Sequence, residues 1–340
     1  MGPLVEIDAL EILVIVDNEV DPISSYQHPD LAVFGQLADV ALRAPLAETS
    51  RGHAKFEMRL DNVCCGAHGL SLMITAIKGD QRHTVLFDTA PEEHIWELNA
   101  KRLRANIGSI EWVQLSHWHR DHSGGILKAI TMINEAKSIS GGLPVDLHPN
   151  RPTYRGFQGP TGVIVSLERD PTFEEIEAAG AAVLQNDQAH TILDDMFLVS
   201  GEIPRVTPYE TGFRRGMKFN ERTGAWESDE LILDERFLMC NIKGKGVVVF
   251  TGCSHAGVVN VAKHALQLGG GSAPLHAVVG GYHLVGPNEA FIKETIADLK
   301  DLNPRILIPG HCSGWRAKNE IERVMPGKLA PSTVGTKFVL

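Results

Sequence analysis

The reading turns on one stretch, Leu115-Ser116-His117-Trp118-His119-Arg120-Asp121-His122-Ser123-Gly124-Gly125 (LSHWHRDHSGG). In an extended segment, positions 117, 119 and 121 point one way and 122 turns to the other side. Imidazole and carboxylate are good ligands for zinc, iron or manganese, so this loop could serve one or two divalent ions. Trp112–Leu115 before it reads as a short buried strand. Gly125–Lys137 after it has helical spacing at Ile126, Ile130 and Ile133. The glycine pair lets the backbone turn sharply between them. A strand before and a helix after place the cluster on a strand-end loop, where a rigid scaffold presents reactive groups.

Working outward, other reactive residues also follow predicted strands. Cys253 and His255 follow GVVVF (246–250), His283 follows LHAVV (275–279), His311 follows RILI (305–308), and Asp88 follows TVLF (84–87). His255 and His311 read as further metal ligands, with a role beside the ligands or against substrate still open for His255. Cys253 could bridge ions as a thiolate or be a small buried residue. His283 suits a supporting or substrate-facing role better than ligation. Asp88 reads as a carboxylate that orients a metal-binding histidine. His68 could line the pocket or cap a strand.

The first half opens with a strand at Leu10–Val16, followed by a polar insertion from about 21 to 62. Gly69–Ile77 and Thr84–Phe87 read as a hairpin, and Pro91–Leu103 as a helix. The second half repeats the pattern. Leu231–Ile242 and Gly246–Phe250 pair, Val258–Leu268 is helical, and Asn288–Leu302 is a helix with Phe291, Thr295, Ala297 and Leu299 near one face. Between the halves, about 141 to 228 is rich in Gly, Pro, Thr and Arg, with a helix near Thr172–Ala179. Pocket or lid loops are expected there. Its Tyr154, Arg155, Arg205, Tyr209 and Arg214 could grip an anionic substrate. Alternating strands and helices suggest two packed sheets with helices outside.

The bulk properties exclude several classes. The chain has 340 residues, 43% hydrophobic and 22% charged, which suits a globular protein with a sizeable core, read here as a single domain. A net charge of -10 argues against a broad face for nucleic acid or anionic lipid. The five cysteines are irregularly spaced with no CxxC pair, so reduced thiols are expected. No apolar run approaches the roughly 20 residues of a membrane span. The expectation is a soluble, cytoplasmic protein acting on a small molecule, with homo-oligomer formation open.

The motif LSHWHRDHSGG, with LVIVDN (13–18), GAHGLS (66–71), LFDT (86–89), SGEIPR (200–205), TGCSHAGVVN (251–260), GGYHL (280–284) and PGHCSGW (309–315), resembles the metallo-β-lactamase superfamily. More narrowly it is similar to the subfamily that includes the archaeal dihydropterin-ribofuranosylaminobenzene phosphate synthases. The resemblance implies an α/β (α+β) αββα four-layer sandwich with a mono- or dinuclear metal centre at one edge. His117 and His119 match the histidines of the first metal, Asp121 and His122 ligands of the second, and His311 the last histidine. Two positions depart from the pattern. Glu202, in Gly201-Glu202-Ile203-Pro204, stands where a histidine before Pro is usual, and Cys253 stands where a bridging Asp is usual. Either Glu202 replaces the histidine or His255 supplies the nitrogen, and His255 is the preferred choice.

The function these readings support is a metal-dependent hydrolase, with zinc the first choice of metal and iron or manganese open. Asp121 would orient the attacking water, and the substrate would be small and anionic. A dihydropterin-type transferase and a metal-binding sensor with little catalysis are the alternatives.

Overall fold

The computed structural model describes residues 4–35, 39, 47–137 and 141–340. Residues 36–38 and 40–46 of the expected polar insertion lie outside them. Among the described residues two large sheets face each other. The first runs Ala181–Gln185, Leu143–Leu147, Ile110–Gln114, Gln81–Phe87, Ser71–Lys78, Ala9–Val16, Lys337–Val339 and Ala32–Phe34. The second runs His190–Ile192, Phe197–Val199, Leu238–Ile242, Gly246–Thr251, Leu275–Gly281 and Ile306–Gly310, with Glu6–Ile7 parallel beside Leu238–Ile242.

Alternation along the strands decides which face is buried between the sheets. In Ala9–Val16 the residues Leu10, Ile12 and Val14 point inward, and Leu72, Ile74, Val85 and Phe87 join them from the neighbouring hairpin. They meet Leu238, Cys240, Val248, Phe250, Val279 and Ile308 of the second sheet. Each fully buried Leu, Ile or Phe contributes about 1.5–3 kcal/mol. The outer face of the first sheet packs on the helices Glu93–Leu103 and Ile126–Lys137 through Trp96, Ile126, Ile130 and Ile133. The outer face of the second is covered by Val258–Leu268, Ile292–Asp301 and Trp315–Val324, through Val259, Ile296 and Ile321. The order of layers is therefore helix, sheet, sheet, helix.

Several expectations change. The middle region is not mainly loop. Leu143–Leu147 and Ala181–Gln185 extend the first sheet, and His190–Ile192 and Phe197–Val199 start the second. Ile164–Ser166, Arg155–Gln158, Gly216–Asn220 and Ala225–Ser228 form a small separate sheet. The helix near 172 is present as Phe173–Ala178, with Thr172 and Glu175 forming a reciprocal capping box. Residues 231–237 are not strand; pairing begins at Leu238. The helix near 288 starts at Ile292, and its inner face is Ile292, Thr295, Ile296 and Leu299, with Ala297 exposed.

In both sheets the site-bearing loops follow neighbouring strands. Gln81–Phe87 and Ile110–Gln114 are parallel, as are Gly246–Thr251, Leu275–Gly281 and Ile306–Gly310. Their C-terminal ends deliver Asp88, the histidine loop, Cys253, His255, His283 and His311 to one edge.

Candidate metal centre

The histidine loop is held close against its neighbours. A Cβ on Gly124 would stand 1.7 Å from the Pro91 carbonyl oxygen, and one on Gly125 would stand 2.1 Å from that of Thr89. Only glycine permits this approach. Asp234 accepts the Trp118 backbone N–H at 2.8 Å, and Arg155 Nη1 donates to the Trp118 carbonyl at 2.6 Å. The loop that carries His117 and His119 is thus braced from below on both backbone polar groups of the residue between them.

Two groups of ligand atoms emerge. In the first, His117 Nε2 and His119 Nδ1 are 2.9 Å apart, and His255 Nε2 is 3.2 Å from His119 Nδ1. In the second, Cys253 Sγ lies 3.2 Å from both His122 Nε2 and His311 Nε2. Asp121 Oδ2 lies 3.3 Å from His311 Nε2 and 3.7 Å from His122 Nε2. A tetrahedral zinc shell with bonds of about 2.0–2.3 Å puts adjacent ligand atoms about 3.3–3.8 Å apart. These four contacts of the second group run from 3.2 to 3.7 Å, close to that spacing, so the residues fit a cation. Cys253 Sγ also lies within 4.8 Å of the ligand atoms of His117 and His255, between the two groups.

The electrostatics agree. Burial pushes His117, His119 and His255 down, His119 to about 3, helped by neighbouring imidazoles and by Arg155. Each shift favours the neutral ring, the form of imidazole that ligates a cation. Burial opposes charge on His122 too, but Asp88 and Asp121 outweigh it and lift the ring to about 9. Burial would raise Asp121, yet His122 and His311 hold its carboxyl well below the usual range. An ion held by His122 would displace the proton that Asp88 and Asp121 keep on its ring.

Behind the ligands stands a second layer of contacts. Asp88 Oδ2 is 2.6 Å from His122 Nδ1 and accepts the Ser116 hydroxyl at 2.8 Å, while Oδ1 accepts the Ser116 N–H at 2.7 Å. Asp88 thus stands against His122, where the sequence reading expected a carboxylate beside a histidine. Asn18 Oδ1 is 3.1 Å from His311 Nδ1, and Asn18 Nδ2 is 3.0 Å from His68 Nδ1. Asp17 accepts the His311 N–H at 2.7 Å. Glu235 accepts the backbone N–H groups of His255 and Ala256 at 2.7 and 2.6 Å. Asp88, Ser254, His283 and His311 all adopt positive φ, an uncommon conformation for non-glycine residues that collects at functional sites.

Above the ligands opens a cleft of about 480 Å³, lined by His68, Arg120, Asp121, Cys253, His255, His283 and His311, with Phe157, Leu167, Phe213 and Val285 as an apolar wall. His68 is largely exposed, its Nε2 3.6 Å from Asp121 Oδ2. The ring of Phe213 packs against His119, His255 and His283.

Other expected site residues lie elsewhere. Glu202 is exposed and outside every ligand group, whereas His255 is inside one. Arg155 is buried and paired with Asp229 and Asp234, so it supports the loop and does not face substrate. Arg205 donates to the backbone carbonyls of His255 and Leu231. Tyr209 donates to Asp298 at 2.7 Å and stacks on Phe291. Arg214 lies exposed over the Phe291 ring. Tyr154 borders a separate hollow beside Arg169 and Glu175. Five groups went unnoticed in the sequence: Cys312, Asp17, Asn18, Glu235 and Phe213. Asp17-Asn18, directly after the opening strand, carried the same strand-end signal as Asp88.

The overall architecture has a solved counterpart. A crystal structure described as a metal-dependent hydrolase of the β-lactamase superfamily superposes with a TM-score of 0.65 over 96% of this chain and 98% of that one, at 21% identity. The chain has the metallo-β-lactamase fold. Two curated proteins of Methanocaldococcus jannaschii are similar in sequence. One, 7,8-dihydropterin-6-methyl-4-(β-D-ribofuranosyl)-aminobenzene-5'-phosphate synthase, is 28% identical over 275 residues, covering 77% of this chain and 89% of the relative. The other, an uncharacterised protein, is 24% identical over 257 residues, covering 76% and 88%. No protein-family model matches the chain. No helix among the described residues is long and apolar enough to cross a membrane.

Proposed function

We propose that the protein is a metal-dependent hydrolase of a small substrate with an apolar body and a polar, anionic reacting group. The carrying observation is the pair of ligand groups, with Cys253 between them, at the floor of an open cleft. His117, His119 and His255 would hold one ion; Asp121, His122, Cys253 and His311 would hold a second. Such an ion, zinc first among the choices, lowers the pKa of water toward neutrality and polarises the substrate oxygen.

The chain's own residues supply the rest. Asp121 faces the cleft with 22% of its side chain exposed and stays ionised, so it orients a water by accepting its hydrogen bond. His68 beside it is 70% exposed, and partial desolvation and the neighbouring His311 lower its pKa, so its ring can take the proton onward to solvent. Phe213, Phe157 and Leu167 offer a surface for an apolar ring. Of the arginines, Arg120 lines the cleft and is the cation placed to meet an anionic group. Asp121→Asn in the metal-loaded protein, assayed on phosphodiesters, lactones and thioesters, should cut turnover by about 100-fold or more with the fold intact. Undiminished hydrolysis in that variant would remove Asp121 from the mechanism.

A transfer reaction is the second reading, favoured by the synthase relative and by the aromatic wall. With a pterin phosphate donor, release of phosphate or pyrophosphate only in the presence of an aromatic acceptor supports transfer. Release without acceptor supports hydrolysis.

A further inference from the structure

Three neighbouring parallel strands of the second sheet end level with one another. Thr251 pairs with Gly280, and Gly281 pairs with Gly310. Two residues beyond Thr251, Gly281 and Gly310 come Cys253, His283 and Cys312. Cys253 Sγ, a ring nitrogen of His283 and Cys312 Sγ lie within 4.8 Å of one another. Both cysteines are buried, and Cys312 Sγ lies 3.6 Å from the Cys253 carbonyl oxygen. The backbone makes room for this. A Cβ on Gly281 would stand 2.7 Å from Cys312 Sγ and 3.2 Å from Cys253 Cα, so a side chain there would force the two cysteines apart. His283 is held at a φ of 44°, and its Nδ1 is buried without a hydrogen-bond partner.

Neither Cys312 nor His283 is needed to complete the two ligand groups described above. Two thiols and an imidazole form a softer donor set than either of those groups, and thiolates select zinc and copper(I) over harder ions. We propose that Cys253, His283 and Cys312 form a third, sulfur-rich metal position that takes a thiophilic ion such as zinc, cadmium or copper(I). It shares Cys253 with the second ligand group. Each thiol that ligates gives its proton to solvent as the sulfur–metal bond forms. An ion at this position lies beside the hydrolytic centre and sets how many ions the edge retains.

Cadmium(II) is the probe, because its thiolate bonds absorb in the ultraviolet. The full chain is purified under reductant, stripped with chelator and titrated with cadmium(II), with bound metal measured in parallel. The wild type should show absorption from two thiolates. Cys312→Ser should lose about half of that amplitude and one equivalent of metal. His283→Gln should keep the amplitude and weaken the last equivalent by about tenfold or more. Circular dichroism checks that both variants are folded, and the His283 variant carries the test if Cys312→Ser is not. Wild-type amplitude and stoichiometry in Cys312→Ser, or wild-type affinity for every equivalent in His283→Gln, overturns the third position. Neither result depends on which reaction the enzyme performs.

Discussion

Arg155→Ala should strip the brace from under the histidine loop without touching the cleft. The guanidinium is 4% exposed, and it faces Asp234 at 2% and Asp229 at 11%. It donates to Asp229 Oδ2 at 2.8 Å, to both oxygens of Asp234 and to the Trp118 carbonyl at 2.6 Å. Burial opposes the charge on Asp234, but Arg155 holds its carboxyl down to about 2. Removing the cation leaves Asp234 buried with only the Trp118 N–H, Asp229 with only Lys218 at 3.9 Å, and the Trp118 carbonyl without its donor. Breaking a buried pair in this way costs about 3–5 kcal/mol. Asp234→Ala should cost a similar amount, because the Trp118 N–H loses its acceptor as well. The double variant should cost about 2 kcal/mol less than the sum of the singles, since each has already broken the same contact. Urea unfolding of the four metal-free proteins gives the cycle. If Arg155→Ala unfolds within about 0.5 kcal/mol of wild type while raising KM, the residue grips substrate and the brace is refuted.

Other expectations follow from single contacts. Asp88→Asn should weaken metal binding about 10- to 100-fold, measured by competition with a chromophoric chelator, because His122 loses its carboxylate; unchanged affinity removes Asp88 from that role. Gly124→Ala should lose about 3 kcal/mol or more, read by thermal unfolding, because the new methyl meets the Pro91 carbonyl; wild-type stability would mean the loop can shift. His190 is raised above 6.5: burial opposes this, but Asp146, 2.6 Å away, overcomes it. Its folded pKa exceeds its unfolded one, so its contribution is full below pH 6.5 and is lost as pH rises through the folded value. His190→Asn should flatten that part of the stability profile, and an unaltered profile contradicts the assignment.

The clustering of His117, His119, Asp121 and His122 could be read from the sequence because one short segment carries them between a strand and a helix. Asp88, His255 and His311 were legible for a related reason: each closes a strand, and strand ends converge at one edge. The structure places His255, carried beyond a central strand, among the grouped donor atoms, while Glu202 sits on an exposed bend. The arginines misled because a Gly- and Pro-rich segment looks like surface. The carboxylates that bury Arg155 are 74 and 79 positions away. Short strands such as Ala181–Gln185 carry little periodicity, and only pairing with Leu143–Leu147 holds them in a sheet. Cys312 was hidden beside a stronger neighbour, His311, and gained meaning only through Cys253 across Gly281.

Metal content decides the central claim. Elemental analysis of the purified wild type, His255→Ala and Glu202→Ala proteins compares the two residues that could complete the first ligand group. The wild type should carry bound divalent metal, His255→Ala should lose at least one equivalent, and Glu202→Ala should match the wild type. Metal lost from Glu202→Ala but retained in His255→Ala would contradict the centre described here.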